Sequence, residues 1–214
     1  LIEIVTQPDF RSAEEVITYL TNLKSMFRFS GISECEEGAM RCDVNISVRE
    51  EGSQEFGVRT EIKNMSSFEA IEKAINYEAQ RHMDAIEYEL EELVQETRRY
   101  DDASGKTFAM RNKETEADYR YFPEPDLVPI IISDEWLAAI KARQPELRTE
   151  KLIRYKKDFD IPDYDAQIIT SAKKLADIFE ATTAICKKPK KVSNWLMVET
   201  MRLMKEHEME ADDL

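Results

Sequence analysis

Between Met40 and Val48 apolar side chains take every second position (Met40, Cys42, Val44, Ile46, Val48), and Arg41, Asp43, Asn45, Ser47 and Arg49 take the alternate ones. A period of two is that of a β-strand with one buried face. After the turn-like EEGSQE the alternation resumes, with Phe56, Val58, Thr60 and Ile62 opposite Gly57, Arg59, Glu61 and Lys63, so this stretch predicts a hairpin. With the turn centred near Ser53, Asn45 falls beside Glu61 and Asp43 beside Lys63. A one-residue slip would reverse a face.

The pattern on either side predicts further elements. IEIVT at the start reads as a short strand. Ser12 and Glu15 then form a capping box for a helix whose stripe is Val16, Leu20, Leu23 and Phe27 and which ends at Gly31. Ser66 and Glu69 form a second capping box. It opens a helix over roughly 67 to 92, with Phe68, Ile71, Ile75, Ala79, Met83, Ile86 and Leu90 on the apolar stripe and a polar side that reads as solvated. LVQETRRY (93 to 100) reads as a strand, DDASGK as a turn and TFAMR as its hairpin partner. In that strand Gln95, Thr97 and Arg99 share one face, and Glu96, Arg98 and Tyr100 the other. Both are polar, so alternation leaves open which is buried, and a face looking into a ligand cleft accounts for such a strand better than two wet ones.

Past Ile132 the period changes. Ser133 and Thr149 read as helix caps, PDYDAQIIT and SAKKLADIFEATTA continue the helical pattern, and VSNWLMVETMRLMKE closes it, with Trp195, Leu196, Val198 and Met201 read as core. The expected class is therefore α+β: an antiparallel sheet with flanking helices over residues 1–132, then an all-α helical domain over 133–214.

Composition narrows the function. The 214 residues are 42% hydrophobic, enough for a proper core, and contain no apolar run of membrane-spanning length. Cys35, Cys42 and Cys186 lack metal-site spacing and suit a reducing compartment. The net charge is -14, of which -13 lies in residues 1–132, so contact with nucleic acid has to be local. The one strong basic run is KKPKK, with Lys187, Lys188, Lys190 and Lys191, either a solvated loop or a site for RNA phosphates. His82 and His207 cannot build a catalytic triad or a histidine-rich zinc site, and the five glycines form no dinucleotide or P-loop pattern. Chemistry here would rest on carboxylates, Asn and Arg, which suit Mg-ATP.

The polar hairpin face has two readings. It is a solvated surface with cross-strand charge pairs, or a site whose short Asp, Asn and Ser side chains hold oxygens near the backbone for a hard cation or a phosphate. The aromatic run of Tyr119, Arg120, Tyr121 and Phe122 ahead of Pro123, Pro125 and Pro129 is similarly double: a domain-closing strand, or a stacking wall for an adenine or a tRNA terminus.

EEGAMRCDVNISVR, FGVRTEIKNMSSFEAIEKAINYE, QETRRYD and MRNKETEADYRYFPEPDLVPI follow one another in an order that resembles the B subunit of the glutamyl-tRNA(Gln)/aspartyl-tRNA(Asn) amidotransferase family. The resemblance runs through most of residues 1 to 132 and more weakly to NWLM. It implies a synthetase-like cradle followed by a helical domain and a small tail domain. It also implies a ligase that uses ATP and Mg to phosphorylate the side-chain carboxylate of glutamate on tRNA(Gln) or aspartate on tRNA(Asn). Ammonia would come from glutamine through the amidase, the family's A subunit, with the pair braced by the small C subunit, in a bacterial cytoplasm or an organelle. The matched residues are Glu37, Arg41, Asp43, Asn45, Glu61, Lys63, Asn64, Glu96 and Arg98. Expected roles are catalysis for Asp43, Asn45 and Glu61; metal binding for Glu37, Asp43, Glu61 and Glu96; and phosphate binding for Arg41, Lys63, Arg98 and Arg120. A non-catalytic module that binds tRNA or docks onto the other subunits is the competing expectation. The chain opens at Leu1 without an initiator Met or leader, ends in the polar EHEMEADDL, and lacks part of the cradle and the tail domain. It therefore reads as a piece that folds but is inactive or weak alone.

Overall fold

The computed structural model describes residues 2–36, 38–110 and 125–214. Its contacts divide the chain into two compact units, Leu1–Thr21 with Met40–Ile130, and Asn22–Ala39 with Ile131–Leu214. The division falls within the first helix.

The first unit is a four-stranded mixed sheet with helices on one face. Helix α1 (Ala13–Ser30) starts where Ser12 Oγ accepts from the Glu15 backbone at 3.2 Å, and stops at Gly31, whose φ of 71° suits a residue without Cβ. Strands β1 (Val44–Ile46) and β2 (Thr60–Lys63) pair antiparallel with Asn45 opposite Glu61, the register that the alternation predicts. Their ladder is shorter than expected. Beyond it the arms continue to a turn at Gly52, where Arg49 lies over the Phe56 ring, and Gly57 comes so near Val48 that a Cβ would run into the Val48 carbonyl.

Asn64, with φ 66°, turns the chain out of β2 and donates to the Tyr100 carbonyl at 3.2 Å. Helix α2 (Phe68–Tyr88) follows, capped by Ser67 where Ser66 had been expected; Ser66 instead reaches Asp102. Its 21 residues carry the chain back across the sheet, so β3 (Glu96–Asp101) runs parallel to β2. The expected antiparallel pairing thus describes β1–β2 and the closing hairpin of β3 with β4 (Lys106–Ala109), while the central pair is parallel.

Apolar burial fills half of the covered face. Ala13 and Leu20 of α1 pack with Ile71 and Ile75 of α2, against Val44 and Ile46 of β1. Ile62 and Tyr100 pack under Ala70 and Ala74. Further along α2 the buried positions are Glu78, His82 and Ala85, whereas Met83 and Ile86 are exposed and Leu90 lies past the helix end. The apolar stripe therefore holds only for the first half of α2, and part of the side read as solvated is inside. The expected opening strand is absent too: residues 2 to 6 have no regular secondary structure and pair with no strand among the described residues.

The second unit's helices are α3 (Asp134–Arg143), capped by Ser133, α4 (Arg148–Asp158), α5 (Asp163–Ile169), α6 (Lys173–Cys186), α7 (Pro189–Trp195) and α8 (Met201–Glu206). Helix α4 begins one residue before Thr149, so that threonine is not its cap. A π-helical turn, Leu196–Thr200, joins α7 to α8 into one continuous rod. Tyr155, Ile161, Ile169, Phe179, Val192 and Leu196 form the core; Trp195 and Val198, read as core, are exposed. Glu180 accepts from Lys151 and Tyr155 and pairs with Arg154, tying α6 to α4.

Candidate functional site

Because side chains alternate along a strand, the register sorts the first unit's polar residues onto two faces. Asn45, Glu61, Thr97, Arg99 and Phe108 lie at paired positions on the face away from α2. Lys63 is paired with Arg99 and belongs to that face as well. Its ammonium stands 2.9 Å from Asp43 Oδ2 and 3.1 Å from Glu61 Oε1. The hydrogen bond to Asp43 raises the Lys63 ammonium above its ordinary value, outweighing the opposing effect of partial burial, and the weaker contribution of Glu61 adds to the rise. Thr97 Oγ1 donates to Glu61 Oε2 at 2.9 Å. Arg99 lies over the Phe108 ring, 5.3 Å from its centroid. This face is half-open, and its positive charge sits where the carboxylates converge.

The opposite face holds Thr60, Ile62, Glu96, Arg98, Tyr100 and Thr107 against α2. Glu78, fully buried, accepts from Arg81 Nε at 2.9 Å and stands 3.1 Å from Arg98 Nε; Thr107 Oγ1 also donates to it. Arg98 donates to Glu96 at 2.8 Å and to the Thr107 carbonyl at 3.0 Å. Arg81 reaches Glu91 at 2.8 Å. His82, also fully buried, meets the Thr60 hydroxyl at 2.9 Å, and burial, then the neighbouring Arg81, hold its pKa below the ordinary histidine value.

Of the expected site residues, Asp43, Asn45, Glu61 and Lys63 come together. Glu96 and Arg98 do not join them. They point through to α2, because the face of β3 carrying Tyr100 is the buried one. The metal role expected of Glu96 and the phosphate role expected of Arg98 thus fall on the opposite face of the sheet from Asp43 and Glu61. Arg41 is exposed just before β1. Glu37 and Arg120, with Tyr119, Tyr121 and Phe122, lie outside the described residues. The four lysines are exposed at the α6–α7 junction, where Lys187 ends α6 in a left-handed conformation and Lys190 pairs with Asp160. Sequence reasoning missed Thr97; only its pairing with Glu61 across the parallel strands identifies it.

The sheet is thus mixed and covered by helices on one face, and on the other a lysine ammonium stands between two carboxylates, with Asn45 at the register position opposite Glu61. Residues 1–138 match the model of the GatB/GatE catalytic domain, and the chain belongs to that family. It is 61% identical, over 99% of its length, to the B subunit of the aspartyl/glutamyl-tRNA(Asn/Gln) amidotransferase of Agathobacter rectalis. It is 47% identical over all of its length to the protein of that name from Caldicellulosiruptor saccharolyticus, and 47% identical over 96% to that from Thermodesulfovibrio yellowstonii. The chain spans 45, 45 and 44% of these three relatives, about half the length of each.

Proposed function

We propose that this chain is part of the B subunit of a tRNA-dependent amidotransferase, a ligase working with an amidase (the A subunit) and a small C subunit. The whole protein uses ATP to activate the side-chain carboxylate of Glu-tRNA(Gln) or Asp-tRNA(Asn), which ammonia from glutamine then amidates. Residues 1–132 belong to its activating domain and 133–214 to a helical domain. The support is the identity along nearly the whole chain to relatives bearing that name, together with one geometric observation: the Lys63 ammonium lies between Asp43 and Glu61, a place built to hold positive charge.

The donor set suits magnesium in kind, since Asp43, Glu61 and the Asn45 amide offer hard oxygens on one face. It is incomplete in number. Among the described residues no three His, Cys, Asp or Glu side chains gather as a metal site, so ligands beyond the described residues and water would complete it. Asp43 and Glu61 would hold the ion, and Lys63 and Arg41 would meet phosphate oxygens. The bound Mg-ATP supplies the phosphoryl group and the charge neutralisation that its transfer needs.

The test uses the complete three-subunit enzyme. Asp43→Ala and Glu61→Ala are expected to lower ATP-dependent conversion of Glu-tRNA(Gln) to Gln-tRNA(Gln) by about 100-fold or more, with glutaminase activity without tRNA retained. Conversion within about threefold of the unmodified enzyme for both would return this face to scaffold. The exposed lysines at the α6–α7 junction favour a second, compatible contribution, contact with tRNA phosphates. Neutralising Lys187, Lys188, Lys190 and Lys191 together should weaken tRNA binding and flatten its salt dependence.

A further inference from the structure

The two oxygens of Glu61 are held by partners of different kinds. Oε1 faces the Lys63 ammonium at 3.1 Å, and Oε2 accepts from the Thr97 hydroxyl at 2.9 Å. The lysine is long and 38% exposed, so it can leave. Thr97 cannot. Its β-branched side chain is stiff at χ1, and it stands on a strand locked from below by buried Tyr100 and by Glu96 and Arg98, themselves tied to Arg81 and Glu78. The parallel register sets Thr97 directly beside Glu61. A shift by one residue would bring Glu96 or Arg98 there, and bury Thr97 under α2 in their stead.

We propose that Thr97 is a positioning residue for Glu61: its hydroxyl fixes the carboxylate through Oε2 and leaves Oε1 facing an exchangeable cation. In this structure the cation is the Lys63 ammonium; in the complete enzyme it is the metal of the function proposed above, on which the inference rests. A carboxylate held by one oxygen loses less torsional freedom when a metal takes the other, so the hydroxyl strengthens metal binding without touching the metal. Partners of this sort, one shell behind a ligand, are worth about 10- to 100-fold in metal affinity or activity. Thr97 is near-isosteric with Val, so the hydroxyl can be removed while the strand is kept.

The experiment compares unmodified complete enzyme with Thr97→Val, Thr97→Ser and Glu61→Ala complexes. Two quantities are read: binding of Mn2+ without ATP, followed by electron paramagnetic resonance, and the magnesium concentration giving half-maximal transamidation at saturating ATP and mischarged tRNA. Thr97→Val is expected to weaken Mn2+ binding and to raise the magnesium requirement by about tenfold, at unchanged melting temperature, and Thr97→Ser to restore both. Unchanged values in Thr97→Val overturn the proposal, as does equal loss in Val and Ser, which would mark a packing role. Glu61→Ala separates the two levels. If it abolishes Mn2+ binding and transamidation while Thr97→Val is silent, the site stands and Thr97 has no part in it. If Glu61→Ala is itself silent, the reading of the face fails and the inference falls with it.

Discussion

On the α2 side of the sheet Glu78 is wholly enclosed, accepts from Arg81 and Thr107 and forms an ion pair with Arg98; on the other side Asp43 and Lys63 meet with 49 and 38% of their side chains exposed. The strands are the same and the residue types similar. What differs is the solvent. An ionised carboxylate without water must have its acceptor sites occupied by protein, so the covered face is a closed network in which every charge has a fixed partner. The open face has water as an alternative partner. Its pairs are weak, and weak pairs can be exchanged for a ligand. One face therefore holds the strands in register, while on the other the pairs stay open to exchange with water.

The comparison breaks most sharply at Glu78. Glu78→Ala leaves Arg81 and Arg98 under α2 without their shared counter-charge, and we expect it to destabilise this chain by about 3 kcal/mol or more, measured by urea unfolding. A loss under about 1 kcal/mol would mean that the two faces are energetically alike.

His82 gives a smaller effect with a definite sign. Burial, more than Arg81, lowers its pKa in the folded state, so the unfolded chain takes up the proton first. Its contribution to stability is complete above the unfolded value, near pH 6.5, and is lost as pH falls from there through the folded value, with a slope no steeper than about 1.4 kcal/mol per pH unit. Melting temperatures between pH 5.5 and 7.5 should show this decline, and His82→Gln should flatten it. An identical pH profile in that variant would assign the decline to other groups.

The smallest effect is expected on the open face. Asp43→Asn or Lys63→Met should change unfolding free energy by less than about 1 kcal/mol, and salt should shrink the difference further. A larger, salt-insensitive loss would show that the pair is structural.

Much of this was legible from the chain. A strict period of two placed β1 and β2 and put Asn45 opposite Glu61, because only one register buries Val44, Ile46 and Ile62 together. Ser12 and Ser133 announced their helices, since a hydroxyl there satisfies a backbone N–H that the helix cannot. The ordered motifs also pointed to the family. Glu37 and Arg120, read as site residues from those motifs, stay expectations outside the described residues.

Tertiary structure decided the rest, and for one physical reason. In β3 both faces are polar, so alternation carries no information about which is inside; that was settled by Glu78, Arg81 and His82, reached only when α2 folds back over the sheet. The same return made β2 and β3 parallel, sent Glu96 and Arg98 to the covered face and set Thr97 beside Glu61. Local periodicity records how a segment's own apolar residues avoid water. It is silent where buried charges are offset by partners 15 or more positions away, as Glu96 is by Arg81 and Arg98 by Glu78.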